Sequence, residues 1–237
     1  MNGLNHAISG LAAYSGALLA GTTVFHQTAP TPATVAMGAV VAVGAGLAPD
    51  IDERHSKASQ AAGALGSVAR LTTGAHRTRT HWPLVIIPLL TAWCWYLINV
   101  AGAGWAFGIT CGVLLAVGWP FVAVAVLPRN IEGIFAVVSI PAGIYLAWYL
   151  HRHGIEPSWW LYAAVPVPYL AHIIGDTPTP AGIAWLGPVS NHKFSAHLFH
   201  SGGTVENSIV TPLLLALNAW LLWRLIDLGM FAGAWSL

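Results

Sequence analysis

The 237-residue chain is 56% hydrophobic and only 7% charged, with eight acids, nine bases and a formal net charge of +1. A soluble domain carries about 25% charged residues, so an ordinary water-facing surface is excluded. A nucleic-acid partner is excluded as well, because no basic stripe is present to neutralise phosphates.

A helix that crosses a bilayer needs roughly 20 mostly apolar residues. Apolar runs predict such spans near 4–25, 33–49, 82–100, 104–127, 131–150, 159–176 and 208–226. The amino terminus lacks a basic leader and a clear cleavage site, so the first span is expected to be retained. "HQTAPTP" separates spans one and two, "AGAG" spans three and four, and "LPRN" spans four and five. "HRHGIEPS" precedes the sixth, and "DTPTPAG" ends it because proline cannot continue a helix. Trp82, Trp105, Trp159, Trp160 and Trp235 fall towards span ends or in loops, where an interfacial aromatic belt places them. Cys94 and Cys111 sit inside apolar runs and read as small packing residues. The expected fold is all-α, a multi-pass transmembrane bundle of about seven spans. Residues 1–237 are expected to form a single integral membrane domain without internal repeats.

Lys and Arg in the loops orient such a bundle, since cytoplasmic loops carry the excess. The 50–81 loop holds Arg54, Lys57, Arg70, Arg77 and Arg79, more than half of all the bases. It is expected to be cytoplasmic. Two spans precede it, so the amino terminus is expected in the cytoplasm, and seven spans put the carboxy terminus outside.

On this map the polar chemistry gathers on one side. His6 opens span one, and "GLAPDIDERHS" brings Asp50, Asp52 and His55 to the end of span two, with Glu53 between them. "HRTRTH" sets His76, Arg77, Arg79 and His81 before span three. "HIIGD" places His172 and Asp176 four apart, hence on one helix face, at the end of span six. His197, His200 and Glu206 follow in the 177–207 loop and at the start of span seven. The two loops, 50–81 and 177–207, are expected to form the site. Only His26, His151, His153 and Glu156 fall on the other face.

Each piece has a plainer reading. The His172–Asp176 pair also suits a helix-end hydrogen bond, and Asp after Pro49 forms a solvated turn. The arginines of "HRTRTH" suit a positive flank as well as a bidentate phosphate clamp. Glu206 suits the helix dipole at a span start. Ionisable groups at membrane depth are nevertheless expensive and usually functional, and their shared sidedness favours a cation site at the cytoplasmic mouth.

"LAPDIDERHS", "HRTRTHWP" and "HIIGDTPTPAGIAWLGP…SGGTVE" resemble segments of the YdjM-like family, bacterial inner-membrane proteins described as metal-dependent hydrolases. That family is in turn similar to the zinc-dependent phospholipase C and nuclease superfamily. The resemblance implies a zinc site of two or three ions. Its ligands would be His6, an Asp from 50 or 52, a His from 55, 76 or 81, then His172, Asp176, His197 or His200, and Glu206. His200 and Glu206 stand six apart here, where the superfamily has a closer His–Glu pair.

Zinc in such a site activates water and polarises a phosphoryl oxygen. One of Asp50 and Asp52 is expected to ligate, with the other acting as base or orienting a histidine. Arg77 is the first choice for a substrate phosphate and Arg79 the second. The expected substrate is a phospholipid, polyprenyl phosphate or similar amphiphile, reached among membrane lipids. A metal or ion transporter, a regulator-binding scaffold and a phosphoryl or acyl transferase are the competing readings. No HExxH motif is present, which argues against an intramembrane zinc protease.

Overall fold

The computed structural model describes residues 1–53, 79–102, 104–124 and 156–231, with single positions 56, 59, 71, 141, 142, 145, 148, 149 and 152. Side chains are described only to residue 118 in the segment that ends at 124. Helix α1 (Gly3–Thr23) begins where the Asn2 side chain accepts the Asn5 N–H. Helix α2 (Pro32–Leu47) starts behind a Thr31 cap with Pro32 in its first turn. Both starts follow from ordinary capping chemistry. The α2 backbone then tightens into a 3₁₀ turn, Ala48–Asp52, and a second 3₁₀ turn, Arg79–His81, leads to α3 (Pro83–Tyr96). Helix α4 (Trp105–Val124), the short α5 (Trp160–Ala164), α6 (Pro166–Asp176) and α7 (Thr211–Asp227) complete the order.

Glycine sets the spacing of the central helices. A Cβ on Gly10 of α1 would meet the Ala42 carbonyl at 3.1 Å and Gly46 Cα at 3.3 Å. One on Gly118 of α4 would lie 2.7 Å from the Gly44 nitrogen. Small residues of this kind let membrane helices approach backbone to backbone. Around them Tyr14, Leu18, Val41, Leu97, Phe107 and Trp160 form the largest buried cluster. Cys94 and Cys111 are buried in it as free thiols, which agrees with their reading as packing residues.

Three helical stretches among the described residues are long and apolar enough to cross a membrane: Pro32–Asp52, Pro83–Ala101 and Glu206–Asp227. They correspond to predicted spans two, three and seven. The first is mostly buried, whereas the other two leave most of their apolar surface outward. The predicted fifth span, 131–150, lies outside the described residues except at isolated positions. The predicted sixth is not one continuous helix: it breaks at Val165, with Pro166 opening α6. Proline lacks the N–H that would continue the ladder, and its ring clashes with the preceding turn. The count of seven therefore does not carry over to the described residues.

Side-chain contacts fix the directions of the helices. Thr211 donates to Asn5 Oδ1 and Asn218 to the Ile8 carbonyl, so α7 runs parallel to α1. Tyr14 donates to the Val35 carbonyl while His6 lies beside Gly46, so α2 runs antiparallel to α1. The Tyr169 hydroxyl donates to the Thr80 carbonyl, and Cys94 lies by the Leu161 carbonyl, so α3 runs antiparallel to the α5–α6 stretch. The beginnings of α1, α3 and α7 consequently meet the ends of α2 and α6 at one end of the molecule. At the other end the Trp159 indole donates to the Thr28 carbonyl.

Candidate functional site

The end of α6 carries Tyr169, His172, Ile173 and Asp176 on its buried face, an i, i+3, i+4, i+7 stripe. His172 and Asp176 are fully buried. Beside them the 3₁₀ turn after α2 advances about 120° per residue, so Asp50 and Asp52 point apart. Asp50 turns towards His172 and Asp52 towards Thr80. His81 enters from the turn before α3, and His6 from the second turn of α1.

These side chains converge. His172 Nε2 lies 3.6 Å from Asp50 Oδ1 and 3.8 Å from Asp176 Oδ2. His81 Nε2 lies 3.9 Å from each of the same two oxygens. The His6 ring stacks on His172 with centroids 3.5 Å apart, and its Nε2 is 3.1 Å from Asp176 Oδ1. The Met1 amino group also contacts Asp176 Oδ1. His6, Asp50 and His172 form one group whose ligand atoms all lie within 4.8 Å of one another, and His81, His172 and Asp176 form another.

Hydrogen bonds behind the rings fix which nitrogen faces the cluster. His172 Nδ1 is 2.7 Å from the Gly46 carbonyl, which can only accept, so Nδ1 carries the proton. In the neutral ring Nε2 is then an acceptor, and the carboxylate oxygens opposite it are acceptors as well. The four His–Asp separations exceed hydrogen-bond length. Two donors bound at ~2.1 Å to one zinc ion are ~3.4 Å apart in a tetrahedron and at most ~4.2 Å apart. The four separations fall in that interval, so the residues fit a divalent cation. Asp50, at 16% side-chain exposure, is the accessible member, since His6, His81, His172 and Asp176 are fully enclosed.

Glu206, His197, His200 and Arg79 are set apart from these two groups. Glu206 is buried, but its carboxylate accepts from the Asn2 N–H, the Asn5 amide and the Gly202 N–H, at 2.8, 2.8 and 2.6 Å. His197 and His200 are exposed on the 177–205 segment, with His197 Nδ1 2.9 Å from Ser195 Oγ. That segment is tied to α6 through Thr179, which donates to the Asp176 carbonyl, and Ser195, which donates to the Thr179 carbonyl. Neither histidine joins a ligand group among the described residues. Arg79 is exposed, two residues before His81. His55, His76 and Arg77 lie outside the described residues.

Sequence reasoning missed the Met1 amino group, the Gly46 carbonyl, the Thr80 hydroxyl, the Asn2–Asn5 pair and the Gly202 N–H. Only Thr80 carried a usable signal, as the hydroxyl next to His81 in "HRTRTH".

Fold and cluster together define a helical membrane protein with a buried histidine–carboxylate group where its helix ends meet. Residues 1–126 match the family model described as YdjM inner membrane protein, more than half of the chain, and the chain belongs to that family. The match takes in His6, Asp50, Asp52 and His81, while His172 and Asp176 lie beyond it. No curated protein and no solved structure matches the chain.

Proposed function

We propose that this inner-membrane protein is a divalent-metal-dependent hydrolase, with zinc its metal, acting on a phosphoester of a lipid or amphiphile at the cytoplasmic face. One observation carries the reading. Two imidazole Nε2 atoms face the same pair of carboxylate oxygens at 3.6–3.9 Å, with the His172 tautomer set from behind by Gly46. Two imidazole nitrogens and two carboxylate oxygens directed at one point are a ligand set suited to zinc.

His81, His172, Asp50 and Asp176 would hold the ion, with His6 orienting Asp176. Bound there, zinc supplies a water of lowered pKa and polarises a phosphoryl oxygen. Asp50 is the group best placed to meet substrate, because it alone of these side chains is partly exposed. Arg79, and Arg77 from the adjoining segment, would hold the phosphate by bidentate hydrogen bonds. The described cluster supplies ligands for one ion, and a second would draw on His55 or His76.

Transporter sites lie near the bilayer midplane at broken helices. Here the cluster lies at helix ends, which favours interfacial chemistry on a headgroup. The proposed orientation puts this end, with the 50–81 loop, in the cytoplasm.

Elemental analysis of detergent-purified protein, with and without zinc reconstitution, tests the metal. Phosphate release from phosphatidic acid and polyprenyl phosphate in mixed micelles tests the activity. Zinc bound near one equivalent or more, with release that stops on chelation, supports the proposal. Protein that never retains a transition metal overturns it.

A further inference from the structure

We infer that Thr80 and Asp52 are positioning residues that fix the tautomer of His81, presenting its Nε2 to the cluster. The meaning of this for catalysis rests on the proposed metal reading, but the tautomer itself does not.

The chain of hydrogen bonds has one consistent direction. Thr80 Oγ1 lies 2.6 Å from Asp52 Oδ2 and 2.9 Å from His81 Nδ1. A hydroxyl has a single proton. A carboxylate can only accept, so at 2.6 Å that proton belongs between Thr80 and Asp52. Thr80 Oγ1 must then accept from His81, which puts the ring proton on Nδ1. The reverse tautomer would turn the hydroxyl proton towards His81 and leave two bare oxygens 2.6 Å apart, in a place from which water is largely excluded.

The surroundings hold this direction in place. Asp52 and Thr80 are both buried, at 4% and 8% exposure. Tyr169, one turn before His172 on α6, donates its hydroxyl to the Thr80 carbonyl at 2.7 Å. The same helix face that supplies His172 and Asp176 therefore anchors the backbone carrying Thr80 and His81. His172 is set by a backbone carbonyl and His81 by a hydroxyl backed by a carboxylate. Such partners behind a ligating histidine fix its ring and raise its basicity, and losing one typically costs 10–100-fold in metal affinity. Asp50 and Asp52, equivalent by sequence, thus divide their labour: Asp50 faces the cluster and Asp52 stands behind it.

The test uses full-length protein in detergent with ¹⁵N-labelled histidine. The His81 signal is identified by its loss in His81→Gln. In metal-free wild type, His81 is expected to be protonated at Nδ1. Thr80→Val, which replaces the hydroxyl by a methyl, should give mixed tautomers, and Thr80→Ser should restore the wild-type signal. His172, held by Gly46, should stay unchanged in all three.

Competition with a chelator should then show zinc binding about 10–100-fold weaker in Thr80→Val and near wild type in Thr80→Ser. If Thr80→Val does not fold, Asp52→Asn replaces it, with a smaller tautomer shift because an acceptor remains. An Nε2–H tautomer in wild type, or an unchanged His81 signal in the variants, overturns the inference. A wild type that binds no zinc but shows the Nδ1–H tautomer overturns the metal reading alone.

Discussion

Two buried acidic centres lie at the same end of this molecule, and they are built on opposite plans. Glu206 is ringed by donors: two backbone N–H groups and an asparagine amide. Asp50 and one Asp176 oxygen face the Nε2 atoms of His81 and His172 at 3.6–3.9 Å, while the other Asp176 oxygen meets His6 and the Met1 amino group. The first carboxylate is satisfied as it stands and clamps the start of α1 to the start of α7. The second pair, under the proposed function, holds a divalent cation. Both centres are built on carboxylates at one end of the bundle, and the proposed function separates them by their surroundings: N–H donors at Glu206, imidazole nitrogens at Asp50 and Asp176.

Removing a ligand from the acceptor-lined centre should have the largest effect. His172→Ala and Asp176→Asn are expected to weaken zinc binding by more than about 100-fold, beyond the range typical of an outer-shell partner. Chelator competition measures this, and both variants should still insert in the membrane. Retention of wild-type affinity would erase the distinction between the two centres.

Metal should in turn stabilise the fold through that centre alone. Zinc at about 100 times its dissociation constant adds ~2.7 kcal/mol to the state that binds it. Thermal unfolding in detergent should therefore shift upward with zinc in wild type and in Glu206→Ala, and stay put in His172→Ala.

The donor-lined centre should respond the other way. Glu206→Ala leaves three donors unmatched, at about 1–3 kcal/mol for each one that water cannot reach. Its unfolding temperature should fall while its zinc stoichiometry is unchanged. A variant that loses zinc without losing stability would return Glu206 to the ligand set.

The smallest effect is expected where the side chains are open to solvent. The double variant His197→Ala with His200→Ala should keep its metal and change stability by no more than about 0.5 kcal/mol. Loss of zinc there would show that the 177–205 segment contributes ligands after all.

The sequence made the helix-borne part of this legible. His172 and Asp176 could be placed on one face from their spacing, and the acids after α2 could be placed at a helix end. Pro166 breaks the sixth predicted span, which the continuous apolar run around it made read as one helix. The partners were not legible. The three donors to Glu206 come from residues 2, 5 and 202, so only the folded chain shows that this acid is already satisfied. Gly46 acts through a carbonyl, which a sequence gives to every residue alike. Asp50 and Asp52 look interchangeable until the turn holding them is known to be 3₁₀.

The contact between Gly10 and Gly46 has a consequence for tolerance to change. Gly46 carries the carbonyl that holds His172, and its Cα lies against α1 just one turn beyond His6. Lipid gives membrane helices little hydrophobic reason to stay together, so their spacing is set by how closely backbones can nest. The two stacked imidazoles are thus gauged by a pair of hydrogen atoms where other residues have side chains. A single methyl at position 10, remote from any proton transfer and bearing no charge, would meet the Ala42 carbonyl at 3.1 Å and press α1 and α2 apart by a few tenths of an ångström, shifting the centre from behind.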